Sequence, residues 1–139
     1  MATGKRSVLF TGDGSFGMNL NELATAVSYN IPLVIVIVNN GVLGMVHQWQ
    51  HLFYGKRYSN SVLNRRTDFV KLAEAFGAKG YRATNEQQFE EAFKTCMNTD
   101  GPTVIDAVVA SHEVVLPMLP PGGSIEDMIV KIDMEGDNE

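Results

Sequence analysis

Pro32-Leu33-Val34-Ile35-Val36-Ile37-Val38 is an unbroken apolar run rich in β-branched residues. A strand with one wet face alternates apolar and polar side chains, whereas a strand covered on both faces reads as this run does. The run predicts a central strand of a parallel sheet and so confines the chain to the α/β class. Ser7-Val8-Leu9-Phe10-Thr11 predicts a second buried strand. Between them, Gly12 to Gly17 reads as a turn. Met18 to Asn30 reads as a helix, with Leu20, Leu23, Ala24 and Val27 along one face and Asn30 and Pro32 at its end. The unit is βαβ, and a right-handed crossover puts its strands in one sheet.

The turn, Gly12-Asp13-Gly14-Ser15-Phe16-Gly17, holds a carboxylate. Glycines between a strand and a helix let backbone N–H groups approach a phosphate. Asp13 would repel that phosphate unless a divalent cation bridges the two. A second metal ligand is then expected nearby, and the apolar run ends in Asn39-Asn40-Gly41. Ligands of open α/β sheets bind beyond the carboxyl ends of the strands, where Asp13 and Asn40 both fall. Carboxylate and amide oxygens suit Mg²⁺, which takes one or two protein groups besides phosphate oxygens and water. The carbonyl of Val42 is a further candidate ligand. Other readings stay open on these residues. Gly12-x-Gly14-x-x-Gly17 matches the dinucleotide-binding fingerprint, although no acidic residue ends the second strand as that fingerprint wants. The glycines also suit a plain tight turn with Asp13 as a helix cap, and Asn39-Asn40-Gly41 a plain turn.

Gly12-Asp13-Gly14 followed after a long gap by Asn39-Asn40 resembles the diphosphate-binding motif of thiamine-diphosphate enzymes. Gly44-Met45-Val46-His47-Gln48-Trp49-Gln50, Leu52-Phe53-Tyr54, Arg57-Tyr58-Ser59 and the stretch Val115-Leu116-Pro117-Met118-Leu119-Pro120-Pro121-Gly122 are similar to the large catalytic subunit of acetolactate synthase. The resemblance runs to about Ile125. It implies a domain of mostly parallel sheet with helices on both faces, over residues 1–125, lacking its N-terminal part, with a tail over 126–139. It implies thiamine diphosphate and Mg²⁺ as cofactors, with Asp13, Asn40 and the Val42 backbone oxygen on the metal. Gly12, Gly14 and Ser15 would lie against the diphosphate and Gly44 and Met45 near the cofactor. Met45 and Trp49 would line a substrate pocket, Trp49 favouring 2-ketobutyrate over pyruvate as acceptor. The family's reaction decarboxylates pyruvate and joins the product to a second 2-oxo acid, in branched-chain amino acid biosynthesis. The activating glutamate belongs to a pyrimidine-binding domain on a second subunit of a homodimer or tetramer, so no catalytic residue is assigned within this chain. A regulatory small subunit is a further implied partner. FAD, where a parent enzyme carries it, would not be bound by this segment alone. The chain by itself would be inactive. It could serve instead as a non-catalytic cofactor-binding or subunit-association module, or belong to a related thiamine-diphosphate carboligase.

By pattern alone, Met45, Val46, Trp49 and Phe53 suit a packed helix face better than a pocket, although both can hold because ligand pockets are largely apolar. His47 and His51 stand one helical turn apart, a zinc-compatible spacing, but no third ligand is evident and a solvated or hydrogen-bonded pair is the better reading. His112-Glu113 opens like a His-Glu-x-x-His zinc motif that Leu116 breaks. Arg65-Arg66 reads as surface charge.

The remainder reads as scaffold. Asp68 is expected to cap a helix that buries Phe69, Leu72, Ala73 and Phe76 and stops at Gly77. Gly80 to Ala83 is a short strand. Thr84-Asn85-Glu86-Gln87 has capping-box spacing before a helix burying Phe89, Ala92, Phe93 and Cys96, the last as a core residue. Pro102 to Val109 is another apolar strand. Leu116 to Ser124, rich in Pro and Gly, is linker-like; in the family it is an arm that folds over the active site. The acidic end from Asp133 to Glu139 reads as disordered. If a strand preceding Ser7 is missing from the sheet, an exposed apolar edge results, predicting instability or association.

At 139 residues the chain is one domain. Its net charge of -5 disfavours nucleic acid and anionic membrane as partners. No secretory leader or bilayer-spanning run is visible. One cysteine allows no internal disulfide, which fits a reducing compartment, the cytoplasm or, in a eukaryote, a plastid.

Overall fold

A computed structural model describes residues 5–64 and 67–132. The chain runs β1 (Ser7–Gly12), α1 (Asp13–Asn19), α2 (Glu22–Ser28), β2 (Leu33–Asn39), α3 (Gly44–Phe53), α4 (Phe69–Phe76), β3 (Lys79–Ala83), α5 (Glu86–Met97) and β4 (Thr103–Val108). The sheet order is β1-β2-β4-β3 and every pairing is parallel. The expected α/β class holds, with helices on both faces.

β2 anchors the sheet. Its Ile35 and Ile37 pack with Phe16, Leu23, Ala26, Phe69 and Ala73 from α1, α2 and α4. Its Val34 and Val36 pack on the other face with Ala92 and Cys96 of α5. Burying each of these aliphatic side chains contributes roughly 2 kcal/mol over leaving it exposed. Cys96 is fully buried, and burial pushes its thiol pKa up, as befits a core residue. Helix α4 rides directly on β3: a methyl group built on Gly80 would lie 2.8 Å from the Val70 carbonyl oxygen.

Several local expectations need correction. The helix read from Met18 to Asn30 is two helices, and the first starts at Asp13, directly after β1. The glycine stretch is therefore a strand-to-helix junction with its residues wound into α1. Leu20, Leu23 and Val27 pack on the core as expected, while Ala26 faces it and Ala24 does not. Asn30 does end it, in the left-handed region at φ 46°. β1 is an edge strand and not a buried one: Val8, Leu9 and Phe10 are exposed, Phe10 at 62%. It is itself an exposed apolar edge of the kind foreseen.

The Asp68 side chain accepts hydrogen bonds from the Val70 and Lys71 N–H groups and so caps α4, and Gly77 closes that helix with φ 91°. At α5 the cap moves by one residue. Asn85, not Thr84, accepts from the Gln88 N–H at 2.9 Å, and Gln88 reaches back to accept from the Thr84 N–H at 2.9 Å. The reciprocal logic of the capping box survives one residue along.

The segment after β4 is anchored, not linker-like. Met118 and Ile129 exchange both backbone hydrogen bonds at 2.9 and 2.8 Å, joining residues on either side of position 125. Leu116-Pro117 is a cis peptide bond. Arg65-Arg66 and Asp133 to Glu139, read from sequence as surface charge and a disordered end, lie outside the described residues. Among the described residues no helix is long and apolar enough to cross a membrane.

Candidate metal centre

β1 and β2 are neighbours, with Gly12 opposite Val38. Asp13 and Asn40 therefore leave adjacent strands at the same end of the sheet. Asp13 is the first residue of α1 and only 4% exposed; its Oδ1 accepts from the Gly14 N–H at 2.9 Å. Asn40 lies in the loop after β2, and its Oδ1 accepts from the Val42 N–H at 3.2 Å. Val42 is buried and bridges Val62, while the flanking backbone is tied by Leu43 N–H to Ser61 and Leu63 N–H to Gly41. The two junctions pack on each other. A methyl on Gly14 would meet Leu43 Cδ2 at 2.7 Å, and one on Gly44 would meet the Asn40 amide nitrogen at 3.1 Å. Gly14 is buried and Ser15 exposed.

A carboxylate and an amide oxygen are hard donors of the kind Mg²⁺ takes, leaving its other positions to phosphate and water. The donor set thus fits such an ion together with a diphosphate. Among the described residues no three His, Cys, Asp or Glu side chains gather into an all-protein metal cage. His47 Nδ1 lies 3.2 Å from Ser61 Oγ and its ring stacks on Tyr58; His51 Nδ1 lies 2.7 Å from the Tyr58 hydroxyl. Each imidazole thus has a hydroxyl partner in the segment 58–61.

Helix α3 starts two residues after Val42 and is turned inside out. Its buried side chain is Gln48, 2% exposed, whereas Met45, Val46, Trp49 and Phe53 are exposed. The packed-face reading of these four fails. Gln48 instead makes a reciprocal pair with the Val115 backbone, donating to its carbonyl at 3.0 Å and accepting from its N–H at 2.9 Å. With His47 and His51 tied to residues 58–61, the polar side of α3 faces the protein. Its apolar side lines an open cavity of about 540 Å³ in which Met45, Val46 and Trp49 meet Tyr54, Arg57 and Ser59. The two expected pocket residues are thus brought together.

Sequence reading passed over a polar row at the same end of the sheet. Asp106 of β4, 1% exposed, accepts from Asn39 Nδ2 at 2.9 Å and from Arg82 Nε at 3.0 Å. Arg82 also donates to Asp68 at 2.8 Å. The hydrogen bond to Asp106 holds the Arg82 pKa above its usual value. The Lys71 N–H, with lesser contributions from the Arg82 and Lys71 charges, holds the Asp68 carboxyl below the usual range. The one signal in the sequence was Asp106 itself, a lone acid inside an apolar strand.

Residues 1–107 match the family model described as the thiamine pyrophosphate enzyme, C-terminal TPP binding domain. The chain is 44% identical over 125 residues to the acetolactate synthase isozyme 2 large subunit of Escherichia coli K12, covering 90% of this chain and 23% of that one. It is 45% identical over 123 residues to the acetolactate synthase large subunit of Porphyra purpurea, covering 88% of this chain and 21% of that one. Among solved structures it is similar to the thiamine diphosphate-dependent 4-hydroxybenzoylformate decarboxylase of Rhodococcus jostii RHA1. That match has a TM-score of 0.72 and 30% identity over 77% of this chain and 20% of that one. The chain spans about a fifth of the length of these relatives. With a parallel sheet whose strand tips carry Asp13 and Asn40, and a matched region running through all four strands, the chain belongs to the C-terminal TPP-binding domain family of thiamine pyrophosphate enzymes.

Proposed function

We infer that this chain is the diphosphate- and Mg²⁺-holding part of an acetolactate synthase catalytic subunit. The observation that carries the reading is a buried carboxylate, Asp13, and an oxygen-donating amide, Asn40, on adjacent strand tips. Asp13, Asn40 and the Val42 backbone oxygen would hold the ion. Gly12, Gly14 and Ser15 would lie against the diphosphate, and Gly44 would let the start of α3 come close to it. Bound thiamine diphosphate supplies carbanion-stabilising chemistry; this chain's part is to bind and orient it. Met45 and Trp49 would give the apolar wall against which a second 2-oxo acid is selected, pyruvate or 2-ketobutyrate. The identities to acetolactate synthases exceed that to the decarboxylase, which favours carboligation.

The exposed apolar side of α3 supports a further element of the reading: the cavity is one wall of a site that another surface completes. A pyrimidine-binding domain of a second subunit fits that need and would bring the activating glutamate. The same observation favours the alternative of a subunit-association module without activity of its own. A regulatory subunit and any FAD would engage parts outside this segment. The single buried thiol suits a reducing compartment such as the cytoplasm.

Calorimetry of thiamine diphosphate with the chain tests the reading. Binding is expected with Mg²⁺, and is expected to vanish with chelator or in Asp13→Asn. Micromolar binding of NAD independent of Mg²⁺ would overturn it. Acetolactate formation from pyruvate, absent with the chain alone and restored by an added pyrimidine domain, would separate the catalytic part from the association module.

A further inference from the structure

We propose that Asp106 and Asn39 are positioning residues of the strand-tip site, fixing Asn39 against β4 so that the next residue, Asn40, is presented in one orientation. The inference rests on the metal reading above. Adjacent residues of identical chemistry are used in opposite ways here. Asn39 is held twice: by its pairing opposite Val108, in which its carbonyl accepts from the Val109 N–H at 2.9 Å, and by its side chain donating to Asp106 at 2.9 Å. Asn40 follows the last paired residue, and its Oδ1 closes a short turn on the Val42 N–H.

Asp106 is the unexpected member. Its strand is otherwise apolar, and a buried carboxylate contributes little to stability compared with a well-packed hydrophobic residue. What it provides is direction. Ile37 lies opposite it on one side and Arg82 on the other. Arg82 Nε fixes Oδ2, which leaves Oδ1 aimed at the Asn39 amide. Arg82 is fixed in turn by Asp68 at the cap of α4. Three strands and a helix thereby determine where β2 stops and where the Asn40 turn begins. Groups that orient metal ligands without touching the metal matter nearly as much as the ligands.

The test is Asn39→Ala, which removes the amide and leaves Arg82, Asp106 and Asp68 in place. In the metal-free chain, exchange of the Val42 amide hydrogen is expected to rise about tenfold more than that of Ile105, in the core of β4. With thiamine diphosphate present, Mg²⁺ affinity by calorimetry is expected to fall about tenfold. Unchanged Val42 exchange would overturn the proposal whatever the ligand does. So would an equal rise at Val42 and Ile105, which marks a merely structural role, or unchanged Mg²⁺ affinity. Accelerated Val42 exchange in a chain whose wild type binds no Mg²⁺ and thiamine diphosphate would instead sink the metal reading, leaving the anchoring of the turn intact.

Discussion

Asp68 caps α4 and pairs with Arg82, and the second role needs its carboxylate ionised. Its folded pKa lies below the ordinary value, chiefly through the Lys71 N–H. A depressed carboxyl contributes stability that is complete above its unfolded pKa and is lost as pH falls through the folded one. Asp68→Asn keeps a capping oxygen and loses the charge. Its thermal midpoint should fall below wild type at neutral pH, and the gap should close in acid, below the carboxylate range. A gap independent of pH would assign Asp68 no electrostatic role. Asp68 and Gly77 were legible because caps act within one turn of their own helix. The Thr84 reading missed by one residue because Thr84 and Asn85 are both good caps, and only the actual first turn selects between them. Asp106 stood out only as a lone acid in an apolar strand, and its partners, 24 and 67 positions away in sequence, were not legible.

Among the elements, β2 and α4 followed directly from pattern, since unbroken β-branched apolarity and a period near a helical turn each fit one environment. α3 did not. Its apolar spacing specifies a helix but not which way the helix faces, and here side-chain hydrogen bonds decide. Gln48 replaces a strand's backbone pairing for Val115 with both ends of one amide, and this seats the segment that follows β4. Gln48→Leu should keep the helix, orphan the Val115 N–H and carbonyl, and cost about 2 kcal/mol. Limited proteolysis should then cut faster between residues 110 and 131. Unaltered cleavage there would mean that the Met118–Ile129 pairing suffices to hold the segment. The glycine junction illustrates a different limit. Its composition signalled a turn, and the closeness of Gly14 to Leu43, which packs the two strand tips together, emerges only in three dimensions.

Among the apolar side chains left in contact with water, two groups belong to single elements, the β1 edge and the outer side of α3. Val8, Leu9 and Phe10 on the first and Met45, Val46 and Trp49 on the second exceed the scattered exposure usual for a monomer. Association of the purified chain is therefore expected. Its apparent mass in sedimentation should rise with concentration, and Phe10→Lys should lower it by charging the open strand. A monomer at all concentrations would mean that neither surface is adhesive. The parallel sheet and its two cores were readable from composition and periodicity, and an open apolar edge was foreseen, whereas the outward face of α3 was not, because burial depends on which neighbours are present.

The reversed polarity of α3 carries an evolutionary corollary. Hydrophilic replacements at positions 45, 46 and 49 would leave the fold intact, so a screen for thermal robustness would not notice their loss. The chain's own folding therefore does not require that side to be oily.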